Sequence, residues 1–75
     1  MVDLRVTFDR SANAAYIYLE PTEKTPPARQ ILVEERGVGG MVILDVTAKG
    51  RLIGIEVIGA TGALPYELLE KAERI

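Results

Sequence analysis

Two apolar segments joined by a short turn restrict what this chain can fold into. The segments "MVILDV" (41–46) and "RLIGIEVI" (51–58) are rich in β-branched and long aliphatic side chains, and "TAKG" separates them. Apolar runs of this length on either side of a glycine-containing turn are typical of adjacent antiparallel strands. We therefore expect a central hairpin over residues 41–58 that is apolar on both faces.

The length of the turn decides which face carries the two acids of this hairpin. A three-residue loop, 48–50, would place Asp45 and Glu56 on opposite faces, whereas a four-residue loop, 47–50, places them together and leaves the other face without charge. Burial favours the register with the charge-free face. We therefore predict the four-residue loop, with Gly50 at a positive φ. The predicted pairs are Val46–Arg51, Leu44–Ile53 and Val42–Ile55.

The face with the acids, here called the second face, also carries large apolar side chains. An antiparallel sheet normally leaves a face polar if that face meets water, and one helix can cover only one face. The sheet must either curl so that its first hairpin covers the second face, or meet a second subunit. Because short strands close poorly, we expect a two-fold homodimer, with a different protein partner as the other occupant. The predicted dimer face consists of Met41, Ile43, Leu52 and Ile58.

The rest of the chain predicts further strands and a terminal helix. Apolar and polar residues alternate over 2–9, and "AAYIYLE" (14–20) follows a turn, so these segments should form a hairpin. Prolines over 21–27 indicate an extended loop, and "RQILVEE" (29–35) is a weaker strand prediction. "ALPYELLEKAERI" (63–75) has an apolar helical stripe. We predict one α+β domain over residues 1–75, with a four- to five-stranded, mainly antiparallel sheet and one C-terminal helix.

Composition excludes several classes of function. The chain has no Cys and no His, which removes disulfides, thiolate metal sites and the usual general base near neutral pH. Its 9 basic and 11 acidic residues form no basic stripe, so nucleic-acid binding is not indicated. No apolar run approaches the roughly 20 residues of a membrane span. We expect a cytoplasmic protein without a cofactor or a bound metal.

The candidate site residues are two acids, one arginine and two tyrosines. Asp45 and Glu56 interrupt apolar strands, and burying an unpaired carboxylate is costly. They could accept hydrogen bonds from backbone N–H groups or from Arg51, hold a ligand, or lie at the rim of a partner contact. Tyr16 and Tyr18 share a strand face, either as packed rings with wet hydroxyls or as a stacking surface. No nucleophile–base pair is visible, so no catalytic residue is predicted.

Two turns contain residues that could suggest a ligand but are better explained as structure. Asp9 and Asn13 can bond their own backbone in the turn that precedes the second strand. Two side-chain oxygens are too few for Ca²⁺, which takes six to eight. The segment "RGVGG" (36–40) matches neither a P-loop nor a dinucleotide fingerprint and is predicted to be a connection.

Two segments of the chain resemble a known family. "FDRSANAAYIYLE" and "VILDVTAKGRLIGIEVIGA" are similar to the DUF2283 family of small prokaryotic proteins, over about residues 2–60. Asn13 departs from the first motif, where the family usually has Asp. The family has no assigned function, so the resemblance supports the fold and implies no activity. The matching positions are Phe8-Asp9, Ala12, Ala14, Tyr16-Ile17, Leu44-Asp45, Gly50-Arg51 and Gly54-Ile55-Glu56.

These observations predict a small protein that works by interaction. The expected function is a protein-interaction or regulatory module, with an antitoxin-like role as one form, acting as a homo-oligomer. The alternative is a protein that binds a small ligand or a metal, or a hydrolase, through Asp45 and Glu56. A cleft beside those acids would favour the alternative, and a flat apolar surface would favour interaction.

Overall fold

The computed structural model describes residues 4–20 and 26–75, so the start of the first predicted strand and most of the proline-containing loop lie outside the described residues. The described residues form six strands and two short helices, with five strands first, then the two helices and the last strand. The elements are β1 (Arg5–Asp9), β2 (Ala14–Tyr18), β3 (Arg29–Val33), β4 (Met41–Val46), β5 (Leu52–Ile58), α1 (Ala60–Ala63), α2 (Tyr66–Lys71) and β6 (Glu73–Arg74).

The strands form one mixed sheet in the order β3-β4-β5-β2-β1-β6. Neighbours pair antiparallel except β6, which runs parallel to β1. The α+β class is confirmed. The prediction of four to five mainly antiparallel strands and one C-terminal helix is corrected to six strands in a mixed sheet and two helices.

The C-terminal segment departs from one continuous helix at two places. Leu64 is extended, at φ −112° and ψ 150°, because the residue before a proline is pushed out of the helical region. Pro65 then precedes α2, whose first turn holds Glu67 and whose last turn holds Lys71, the order that the helix dipole favours. Ala72 is again extended, so residues 73–74 leave the helix and pair with β1.

The central hairpin has a register that the loop prediction missed. The Thr47 N–H donates to the Arg51 carbonyl at 2.8 Å, which closes a three-residue loop rather than the predicted four-residue one. Gly50 has a φ of 84°, as predicted. The predicted strand pairs are wrong as well; the observed pairs are Val42–Val57, Leu44–Ile55, Asp45–Gly54 and Val46–Leu52.

A β-bulge restores the face assignment that the shorter loop would have destroyed. Asp45 pairs with Gly54 while Val46 pairs with Leu52, so Ile53 is an extra residue on β5. The bulge shifts the register by one residue, and a shift of one residue exchanges the two faces. Asp45 and Glu56 therefore share a face, as predicted. Leu52, opposite Val46, does not belong to the second face, so its assignment to the dimer face was wrong.

The helices cover one face of the sheet at the β5-β2-β1 end. The buried cluster on this helix-side face consists of Phe8, Ala15, Val57, Ala60, Leu69 and Ala72. All five residues of β3 are exposed. The apolar core is therefore concentrated at one end of the sheet, and the β3–β4 end carries apolar residues without a helix over them.

Asn13 connects the turn between β1 and β2 to the start of α1. Its backbone carbonyl accepts hydrogen bonds from the N–H groups of Gly59 and Ala60 at 2.8 and 3.0 Å. Its side-chain oxygen accepts from the Thr61 N–H at 3.1 Å, and its amide nitrogen donates to the Thr61 hydroxyl at 3.0 Å. Asp9 in the same turn accepts from the Ser11 hydroxyl, which lowers the pKa of Asp9. Both residues thus have the structural role that the turn pattern predicts.

The glycine-rich connection 36–40 packs against α1. A Cβ at Gly39 would lie 2.1 Å from the Gly62 carbonyl oxygen, and a Cβ at Gly40 would lie 2.6 Å from that of Ile58. These distances are too short for any side chain, so the glycines permit a close approach of two backbones. The segment connects β3 to β4, as predicted.

Candidate functional site

Asp45 lies inside the sheet with both carboxyl oxygens occupied. Its side chain is 4% exposed, which is unusual for an acid. The Tyr16 hydroxyl donates a hydrogen bond to Oδ2, and Gln30 Nε2 donates to Oδ1 at 2.9 Å. These donors come from β2 and β3, on either side of the hairpin. The acid is therefore satisfied by two side chains rather than by Arg51.

Gly54 makes the contact between Tyr16 and Asp45 possible. Tyr16 is on β2 and Asp45 is on β4, with β5 between them. A Cβ at Gly54 would lie 1.9 Å from the Tyr16 hydroxyl oxygen. The phenol therefore crosses β5 over the one position in this strand that has no side chain. This close approach explains a glycine in the middle of an apolar strand.

Tyr16 is held in its protonated form. Burial of the phenol, followed by its hydrogen bond to Asp45 and the charge of that residue, raises the pKa of Tyr16 well above its ordinary value. Tyr18 and Glu56 act in the same direction with smaller effects. Because a protonated phenol donates its hydrogen, Tyr16 acts as a hydrogen-bond donor rather than as a general base.

The contacts continue from Tyr16 to the other edge of the sheet. The rings of Tyr16 and Tyr18 lie 4.6 Å apart, and the Arg5 guanidinium lies 4.7 Å from the centre of the Tyr18 ring. Arg5 Nε also pairs with Glu73 at 3.0 Å, and this hydrogen bond lowers the pKa of Glu73. We call this row of contacts the polar belt. Its members, from β3 to β6, are Gln30, Asp45, Gly54, Tyr16, Tyr18, Arg5 and Glu73.

Glu56 lies beside the polar belt but is not part of it. It is partly buried and pairs with Ile43 on β4 and with Tyr16 on β2. Within residues 4–20 and 26–75, its carboxylate makes no hydrogen bond or ion pair. The two acids thus share a face and both lie near Tyr16, but only Asp45 accepts a hydrogen bond from it.

Arg51 is exposed at the turn, where its backbone N–H donates to the Thr47 hydroxyl at 3.0 Å. In the described part of the chain its guanidinium pairs with neither acid.

The pattern of the sequence missed three members of the polar belt: Gln30, Arg5 and Glu73. The register of β3 on β4 sets Gln30 opposite Asp45, so a correct pairing of these strands would have indicated Gln30 as a partner of Asp45.

An apolar surface lies next to the polar belt on the second face. Met41 and Ile58 form a pair across β4 and β5 and are 47% and 40% exposed. Leu32 pairs with Ile43 and is 46% exposed. These four side chains are the second-face patch.

Two cavities of the described residues lie away from the acids. One cavity, of about 370 Å³, opens beside Leu32, Val33 and Met41, and a second, of about 450 Å³, lies between β1 and α2. Neither is lined by Asp45 or Glu56. No group of three potential metal ligands occurs among the described residues.

Comparison with known proteins gives a family match. The family model described as "Protein of unknown function (DUF2283)" matches residues 5–60. The chain is 34% identical over 59 residues to the "Uncharacterized protein YuzE" of Bacillus subtilis (strain 168). This match covers 79% of the chain and 43% of that relative, so the chain spans less than half the length of the relative.

No solved structure matches. No helix of the described residues has the length and apolar character that crossing a membrane requires.

Proposed function

Given that the chain belongs to the DUF2283 family, whose function is unknown, we propose that it is a protein-interaction module that works as a homodimer. In this dimer, the second face of one copy packs against the second face of the other, with the second-face patch at the centre of the contact. A regulatory role in the cytoplasm, an antitoxin-like role among them, is one form that such an interaction takes.

The observation that carries this proposal is the exposure of the second-face patch. Met41, Leu32 and Ile58 are each at least 40% exposed and lie together with Ile43 on a face that neither α1 nor α2 covers. Contiguous apolar surface of this kind marks interaction sites in soluble proteins. A second copy supplies the same patch, so a two-fold contact covers both at once.

The polar belt supports the same arrangement. It occupies the neighbouring part of the second face and keeps Asp45 satisfied without a partner molecule. Glu56, between the belt and the patch, would lie at the rim of the contact, where water can solvate a carboxylate. The proposed interface therefore has an apolar centre and a polar border.

The alternative function, a ligand or metal site or a hydrolase built on Asp45 and Glu56, has less support. Both oxygens of Asp45 accept hydrogen bonds within the chain, and neither the cavity beside Leu32 nor the one between β1 and α2 is lined by Asp45 or Glu56. A reacting carboxylate must reach its substrate. Asp45, at 4% exposed, is better explained as a structural acid.

The proposal is tested by sedimentation of the native chain and of Ile58→Lys at micromolar concentration. We expect the native chain to be dimeric and Ile58→Lys to be monomeric, because a lysine would have to be desolvated at the centre of the contact. The control is Val38→Lys, which adds the same charge at 38% exposure in the connection between β3 and β4.

Met41→Lys provides a second variant if Ile58→Lys does not fold, as judged by circular dichroism. A native chain that is monomeric at micromolar concentration would refute the homodimer. So would a folded lysine variant that is as dimeric as the native chain.

A further inference from the structure

The two edges of the sheet differ in how they are protected. β6 is two residues long and carries Glu73 and Arg74, and short charged strands prevent further pairing. β3 is five residues long, all of them exposed, and its last three residues are Ile31, Leu32 and Val33. Among the described strands, β3 therefore forms the longer open edge, and no charge or proline interrupts its apolar part.

We propose that β3 is a self-association edge: it pairs antiparallel with β3 of a second copy and joins two six-stranded sheets into one. This contact uses the rim of the sheet rather than the second face, so it does not depend on the proposed face-to-face homodimer. The occupant is a second copy because the segment around β3 is complementary to itself.

Symmetry limits the register of this pairing. Two identical edges that pair antiparallel are related by a two-fold axis perpendicular to the sheet, and opposed residues then lie on the same face. The axis must therefore pass midway between one residue and the same residue of the second copy, so that this residue pairs with its own copy. Within the uncharged part of β3 this residue is Gln30, Ile31, Leu32 or Val33. An axis at Gln30 would set Arg29 against Ile31, and an axis at Val33 would set Leu32 against Glu34, so both join a charge to an apolar residue.

Side-chain matching selects Leu32 as the central residue. Leu32 then faces the partner's Leu32, and Ile31 faces the partner's Val33. Where the pairing continues two residues past the end of β3, Arg29 lies opposite the partner's Glu35, once on each side of the axis. An axis at Ile31 would instead set Arg29 against Val33 and Gln30 against Leu32. Cross-strand pairs stabilise a sheet when apolar residues meet apolar ones and opposite charges meet.

The edge contact should be weaker than the face contact. A single pair of short strands covers less than the roughly 800 Å² per partner of a stable interface. We therefore expect edge pairing at higher protein concentrations than the face-to-face dimer. Since its axis is perpendicular to the sheet, both contacts can form together, and they would then build a tetramer of two stacked sheets.

Disulfide trapping tests the edge contact and its register, because the chain has no native cysteine. Ile31→Cys and Val33→Cys are oxidised separately and as an equal mixture, over a series of protein concentrations. Opposed residues of antiparallel strands have Cα atoms about 4.5–5.5 Å apart, within the range of a disulfide. We expect a disulfide-linked dimer to form in the mixture and not in either variant alone.

A mixture of Ile31→Cys with Val38→Cys provides the matched control and should not crosslink above the level of the separate variants. Circular dichroism of both strand variants establishes that they fold. Absence of the linked dimer from the mixture at every concentration overturns the proposal. Equal crosslinking of Ile31→Cys alone overturns the Leu32 register.

This test can fail without affecting the proposed function. Ile31 and Val33 pair with Leu44 and Val42, so they lie on the helix-side face. A dimer that packs its second faces together cannot bring these two positions into contact. Sedimentation of Ile58→Lys tests the face contact, and trapping between Ile31→Cys and Val33→Cys tests the edge.

Discussion

At the scale of single residues, the sheet keeps an acid inside it by bringing donors from two other strands. Asp45 has the Tyr16 hydroxyl on one side and the Gln30 amide on the other. The absence of a side chain at Gly54 provides the path for the phenol. A buried polar group is tolerated when it is hydrogen-bonded, so Asp45 and its two donors, Tyr16 and Gln30, form one structural unit.

Removal of the Tyr16 hydroxyl should lower the free energy of unfolding. Tyr16→Phe keeps the ring but leaves Asp45 with Gln30 alone, and we expect a loss of about 1–3 kcal/mol in the free energy of unfolding. Tyr18→Phe is the matched control, because among the described residues no hydrogen bond is made by its hydroxyl. It should change stability by less than about 0.5 kcal/mol. Urea unfolding measures both, and equal losses would contradict the assigned role of Tyr16.

The raised pKa of Tyr16 predicts a loss of stability at alkaline pH. Burial and Asp45 raise the pKa of this phenol above its ordinary value of 10.0. The folded state therefore favours the protonated form, and this contribution is complete below pH 10 and is lost as the pH rises through the folded pKa. The stability difference between the native chain and Tyr16→Phe should stay constant up to about pH 9 and should narrow as the pH rises above about 10. A difference that does not narrow above about pH 10 would contradict the prediction.

At the scale of elements, Asn13 joins the β1–β2 turn to α1 through its backbone and its side chain. It has a φ of 51°, a conformation that most side chains avoid. Asn13→Ala should cost about 1–2 kcal/mol, because it removes the side-chain bonds at the start of α1. Asn13→Gly loses the same bonds but relieves the backbone, so it should cost less. Asn13→Asp keeps an acceptor for the Thr61 N–H and should be tolerated best. Thermal unfolding ranks the three; an aspartate as damaging as alanine would contradict this order.

The elements also show where reasoning from the sequence succeeds and where it stops. Alternation and apolar runs identified five strands, because side-chain periodicity is a local signal. The bulge at Ile53 was not predictable, because a three-residue loop with a bulge and a four-residue loop without one place Asp45 and Glu56 on the same face. β6 was missed because two residues carry no periodicity, and only its neighbour β1 makes it a strand. Gln30 was missed as a partner of Asp45 for the same reason, since its role follows from the pairing of β3 with β4.

At the scale of the whole molecule, the chain distributes its apolar residues unevenly. The buried cluster of the described residues lies under α1 and α2, on the helix-side face of β5, β2 and β1. The opposite face, over β3, β4 and the end of β5, leaves Leu32, Met41 and Ile58 at 40% exposure or more. A small domain buries a limited fraction of its surface on its own. Association of copies through this face would complete the burial that one chain leaves unfinished.

The proposed homodimer predicts a melting temperature that depends on protein concentration. A partner that binds only the folded chain stabilises it by mass action. For a domain of this size, a tenfold rise in concentration should raise the Tm of the native chain by about 3–6 °C. The Tm of Ile58→Lys should change much less with concentration, because its face contact is lost and only the weaker edge contact remains, whereas Val38→Lys should keep the native slope. Scanning calorimetry over two decades of concentration measures all three, and a native Tm independent of concentration would show that one chain folds without its partner.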